Sequence, residues 1–126
     1  MPEFPAVVAT LLLLGLAAFQ AALVAGAPLG RYAWGGAHEV LPTGLRIASA
    51  VAVVIYAALG WIASGAAGIV ATPLPTGAPV LWAIAGLLAV GSVMNAISRS
   101  RSERLVMTPA ALTLAICFAV LALDAA

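Results

Sequence analysis

The sequence predicts an all-α, four-helix transmembrane bundle forming one integral membrane domain over residues 1–126. Three observations carry this. The chain is 65% hydrophobic with a mean hydropathy of +1.21. Only 7% of its residues are charged, against about 25% in an ordinary soluble domain. Four apolar stretches, roughly 4–27, 46–71, 79–98 and 102–123, each reach the ~20 residues a helix needs to cross a bilayer. Backbone in lipid must satisfy its own hydrogen bonds, so spans of this kind fold as helices.

The first span, "FPAVVATLLLLGLAAFQAALVAGA", differs from a signal peptide. It lacks a basic leader, carries Glu3 there instead, and its apolar run exceeds the usual ~7–15 residues. It reads as a retained transmembrane helix. Small residues at four-residue steps, Ala18, Ala22, Gly26 and Gly30, form a ridge along it. In lipid such ridges carry helix packing, because apolar side chains gain little by meeting one another.

The first connection, an interfacial loop at 28–45, concentrates rare residues. It holds the only histidine, His38, with Glu39, Arg31, Tyr32 and Trp34, and Arg46 follows directly. Gly35-Gly36 provides a turn and Pro42 stops the loop, with Thr43 as the N-cap of the second helix. Tyr32 and Trp34 read as interfacial anchors. A metal site needs three or four ligands, and only Glu103 from the third connection could join His38 and Glu39. No metal site and no catalytic group is assigned. The ordinary use of these charges is an ion-pair lock between His38 or Glu39 and Arg99 or Arg101.

The second span repeats the small-residue pattern at Gly60, Ser64 and Gly68, and the third more weakly at Gly86. Trp61 and Trp82 flank the uncharged second connection as a second pair of anchors. Pro79 opens the third span, where its missing N–H costs nothing. Ser100 and Glu103 have the Ser-x-x-Glu spacing of a capping box ahead of the fourth. Pro109 falls inside that last helix and is expected to kink it. The lone Cys117 excludes an intrachain disulfide and behaves as a small buried hydrophobe.

Orientation follows from the arginines. Arg31 and Arg46 flank the first connection, Arg99, Arg101 and Arg104 the third; the second connection and both ends have none. Basic residues mark the cytoplasmic side. The expected arrangement is a multi-pass protein of the cell inner (plasma) membrane, with both termini and the second loop outside and the first and third loops cytoplasmic.

No ionisable residue lies mid-span, unlike most ion-coupled transporters. Neutral polar groups remain, and Gln20, Ser49, Ser92, Asn95 and Thr108 all fall toward the arginine-bearing end. They can tie helices together at about 0.6 kcal/mol each. Alternatively, they line a cytoplasm-facing pocket, rimmed by arginines, for a small solute or an anionic lipid headgroup.

Two clusters carry a resemblance: "GAPLG", "AWGG", His38, "VLP" and Leu45-Arg46 in the first loop, then Asn95, "ISRS", "SER" and Pro109. They are similar to a group of small bacterial four-helix integral membrane proteins with no assigned activity. The resemblance implies the fold and supplies no residue roles.

The favoured function from sequence is a non-enzymatic accessory or structural subunit, with homo-oligomerisation through a small-residue ridge left open. The alternative is a small channel, carrier or lipid-binding protein using the polar pocket. A weaker alternative is a membrane enzyme acting on a lipid-soluble substrate. Partners would be membrane lipids; with a net charge of +1 and no basic arm, nucleic acid is not among them. No cofactor is implied.

Overall fold

A computed structural model describes residues 2–126, and no strand occurs among them. Four α-helices follow in order: α1 (Glu3–Val24), α2 (Thr43–Ala66), α3 (Ala78–Ala96) and α4 (Arg101–Ala125). Single 3₁₀ turns at Gly30–Tyr32 and Trp34–Gly36 shape the loop between α1 and α2.

Helix ends explain where the elements depart from the expected spans. α1 stops at Val24 because Gly26 takes φ +94, with Ala27 N–H donating to the Ala22 carbonyl and Gly26 N–H to that of Leu23. α2 stops in the same way: Gly68 has φ +75, Ile69 N–H bonds the Ser64 carbonyl and Gly68 N–H that of Gly65. This paired closure needs a left-handed residue just past the helix, and glycine reaches it without a Cβ penalty. Gly26 and Gly68 therefore end helices and are not rungs of packing ridges. Gly30 also lies outside α1, so the ridge expected along that helix is broken.

Thr43 caps nothing. It is the first residue of α2, behind an extended Pro42. Ser100 does cap α4, its Oγ accepting from Glu103 N–H at 3.2 Å. The reciprocal half of the box is missing, because Ser100 N–H goes to Ser98 Oγ and the Glu103 carboxyl turns elsewhere. α4 runs on through Pro109, where Thr113 Oγ1 donates to the Pro109 carbonyl at 2.7 Å.

The helices pair as two antiparallel hairpins, α1 along α2 and α3 along α4, which meet mainly through α1 and α4. Leu13, Ile62, Leu81, Leu114, Phe118 and Leu121 form the main core, with Cys117 among them. These residues lie at the end that holds the α2–α3 connection. Gly60 and Ser64 serve packing within the chain: Leu13 sits against Gly60, and the Ser64 and Thr10 hydroxyls are 3.1 Å apart. Gly86 has no neighbour that a Cβ would meet and faces outward.

The outer surface is apolar. Leu14, Val54, Leu87 and Leu123 are 63–73% exposed, and a soluble monomer does not offer water a surface of this kind. All four helices are long and apolar enough to cross a membrane. The chain is a small multi-pass integral membrane protein.

Candidate functional site

The loop between α1 and α2 folds back over the bundle end that also carries the α3–α4 corner. Two glycines permit this. A Cβ on Gly30 would lie 1.9 Å from the His38 carbonyl oxygen, because the chain crosses directly over it and Gly30 N–H bonds the Glu39 carbonyl at 2.8 Å. A Cβ on Gly36 would lie 2.4 Å from Ser100 Cβ. Trp34, Gly35 and Gly36 have successive φ values of +52, +80 and +74; for tryptophan this costs about 1–3 kcal/mol unless its surroundings hold it. Here Trp34 Nε1–H donates to the fully buried Ser49 Oγ at 3.0 Å. Beneath the loop, Leu23, Ala33 and Leu41 form a second small core, and Tyr32 meets Phe19 edge to face at 6.4 Å.

Two contacts latch the loop to the corner. The Ser100 hydroxyl donates to the Arg31 carbonyl, and Gly35 N–H donates to Glu103 Oε2 at 3.4 Å. The expected ion-pair lock is not the means. His38 and Glu39 are exposed, as are Arg99 and Arg101, and the loops meet through backbone groups.

Below this loop, between the two hairpins, lies a cavity of about 240 Å³. Its polar end is formed by Gln20 of α1, Asn95 of α3 and Glu103 of α4, with Tyr32 and Trp34 above. Leu16, Met107, Ala111 and Leu114 form its apolar end, which opens to the outer surface beside Leu87. Gln20 and Glu103 are each only 7% exposed. The Gln20 side-chain oxygen has no hydrogen-bond partner among the described residues, and leaving such a group unmet costs about 1–3 kcal/mol. Asn95 Nδ2–H reaches the Met107 carbonyl at 3.4 Å.

The polar residues singled out in the sequence thus separate into two groups. Gln20 and Asn95 line the cavity. Ser49 holds Trp34, Ser92 Oγ donates to the Thr108 carbonyl at 3.2 Å, and the Thr108 hydroxyl is buried without a partner; these three do not line it. The arginine rim is corrected as well. Arg46 gives Nε–H and Nη2–H to the Val24 carbonyl at 2.9 and 2.7 Å, closing the negative end of α1. Arg104 Nη1–H goes to the Ser98 carbonyl in the α3–α4 corner at 2.7 Å. Arg31 lies over Tyr32, 4.9 Å from the ring centre. The cavity holds a carboxyl where a cationic rim was expected.

Comparison with known proteins gives no match: no family model, no characterised protein and no solved structure aligns with the chain.

Glu103 and Tyr56 are the lining residues that sequence reasoning missed as such. Glu103 had a complete local explanation as the second half of a capping box, and Tyr56 lies within an apolar span with no motif around it. A second groove, between α1 and α2, lies among Leu13, Leu14, Val53, Gly60 and Trp61. Its Thr10 and Ser64 hydroxyls bond each other, and Tyr56 is shared with the first cavity. Among the described residues no group of three His, Cys, Asp or Glu gathers as a metal site.

Proposed function

We propose that this protein is a membrane-embedded binding protein or carrier for a small amphipathic solute, and that the inter-hairpin cavity is its site. One observation carries the reading. A space bounded by apolar side chains on one end and by Gln20, Asn95 and Glu103 on the other has the make-up of a ligand pocket, apolar walls with a few convergent polar groups. A bundle whose polar residues served only to join helices would have closed around them, since interiors pack densely.

The arginine distribution supports placing the cavity end at the cytoplasmic face of an inner membrane. On this reading the loop at 28–45 is a cover held by Trp34 and Glu103, and the exposed Arg99 and Arg101 face anionic headgroups at the bilayer surface.

Single-cysteine chemistry tests the site and its sidedness together. In a Cys117→Ser background, Asn95→Cys should react with a small membrane-impermeant methanethiosulfonate applied to the cytoplasmic side of vesicles. Adding Ala111→Phe, which fills the apolar end, should slow the reaction about tenfold or more. An Asn95→Cys thiol that stays unreactive from both sides, while Arg99→Cys reacts, would remove the cavity as a binding site.

A further inference from the structure

We infer that the ligand of this cavity is a small organic ammonium, its nitrogen held by Glu103 and Gln20 and its apolar body lying among Leu16, Met107 and Leu114. The inference rests on the reading above that the cavity is a binding site, and adds the chemical class.

The buried Glu103 carboxyl has unmet hydrogen-bonding capacity. An ionised carboxylate offers about four acceptor positions. The Glu103 side chain, nine-tenths buried, accepts one bond among the described residues, the long one from Gly35 N–H. A buried carboxylate is costly unless it is paired or well hydrogen-bonded. The nearby cations do not pair with it: Arg46 serves the Val24 carbonyl at the end of α1, Arg104 the Ser98 carbonyl in the α3–α4 corner, Arg31 lies on Tyr32, and Arg99 and Arg101 are exposed. The Gln20 side-chain oxygen is buried and makes no hydrogen bond within standard geometry among the described residues, with the Tyr56 hydroxyl beside its side chain. Asn95 gives one amide N–H to the Met107 carbonyl and keeps its second N–H and its oxygen for the same wall.

The amides of Gln20 and Asn95 offer donors as well as acceptors, whereas the Glu103 carboxylate only accepts, and what it lacks is a cationic donor. An ammonium group supplies up to three N–H donors and the countercharge together. Tyr32, Trp34 and Tyr56 line the same space, and aromatic rings attract cations through their quadrupole. An anion would meet the Glu103 carboxyl with no compensating arginine. Size narrows the class further. The volume of about 240 Å³ exceeds the ~150 Å³ that accommodates benzene, so a single ring or short alkyl chain bearing one amine fits.

The test uses three phenyl compounds of similar size: 2-phenylethylamine, 2-phenylethanol and 3-phenylpropionate. Trp34 reports binding once Trp61→Phe and Trp82→Phe remove the two tryptophans that do not line this cavity. In lipid nanodiscs the amine should give a saturable fluorescence change, with a Kd about tenfold or more below that of the alcohol. The propionate should give none. Glu103→Gln, which keeps the acceptor for Gly35 N–H, should bring the amine to the affinity of the alcohol and leave the alcohol unchanged. Gln20→Leu should weaken the amine severalfold and provides a second variant if Glu103→Gln lowers the thermal midpoint. Equal binding of amine and alcohol, tighter binding of the propionate, or an amine Kd unmoved by both variants would overturn the ammonium assignment. The cavity reading survives any of these provided that Ala111→Phe abolishes the signal. If no compound gives a saturable signal sensitive to Ala111→Phe, the binding-site reading fails and the ammonium assignment fails with it.

Discussion

The two ends of this bundle are built on opposite principles. At the end holding the α2–α3 connection, Leu13, Leu81, Phe118 and Leu121 are buried to 2% exposure or less, and nearly every contact is apolar. At the other end, loop and corner are laced by Trp34–Ser49, Gly35–Glu103, Arg46–Val24 and Arg104–Ser98, and a cavity remains between the hairpins. In lipid, apolar residues gain little by leaving the solvent, so the first end is held by close packing and dispersion. The second spends its polar groups on holding a loop in place. Stability is concentrated at one end, and unmet chemistry at the other.

The contrast can be broken from either side. The largest effect is expected at the packed end. Phe118→Ala leaves a void among α4 and its neighbours and should cost about 3 kcal/mol, the low end for such a truncation because the transfer contribution is small in lipid. It should lower the thermal midpoint in detergent and leave Trp34 fluorescence unchanged. A smaller effect is expected at the polar end. Gly30→Ala drives a Cβ onto the His38 carbonyl and should cost about 2 kcal/mol, but here the indole should lose Ser49 and become more open to aqueous quenchers. If Phe118→Ala exposes Trp34 as much as Gly30→Ala does, the two ends are one cooperative unit and the contrast dissolves.

Much of this architecture was legible in the sequence because its causes are local. Twenty-residue apolar runs fix spans, Pro79 fixes a helix start, and Ser100 fixes a cap. Gln20 and Asn95 could be placed at one depth by counting turns from the arginines. What was not legible depends on contacts distant in sequence. Gly26 and Gly68 fit a packing ridge and a helix stop equally well, and only the backbone path decides between them. Glu103 looked spent on Ser100. Its burial follows from the approach of Gly36 to Ser100, which brings the Gly35 amide within reach. Arg46 and Arg104 entered the sequence reading only as charges at one end of the bundle; their individual targets, the Val24 carbonyl at the end of α1 and the Ser98 carbonyl in the α3–α4 corner, required the folded structure.

At the polar end lies a partly open pocket that a solute can occupy. A crystal structure grown from a lipidic mesophase in the presence of 2-phenylethylamine tests it most directly. The account predicts density between Gln20, Asn95 and Glu103, with the amine nitrogen within hydrogen-bond distance of the Glu103 carboxyl. Hairpins closed together, with Leu87 and Met107 filling the space and no density beside Glu103, would contradict it.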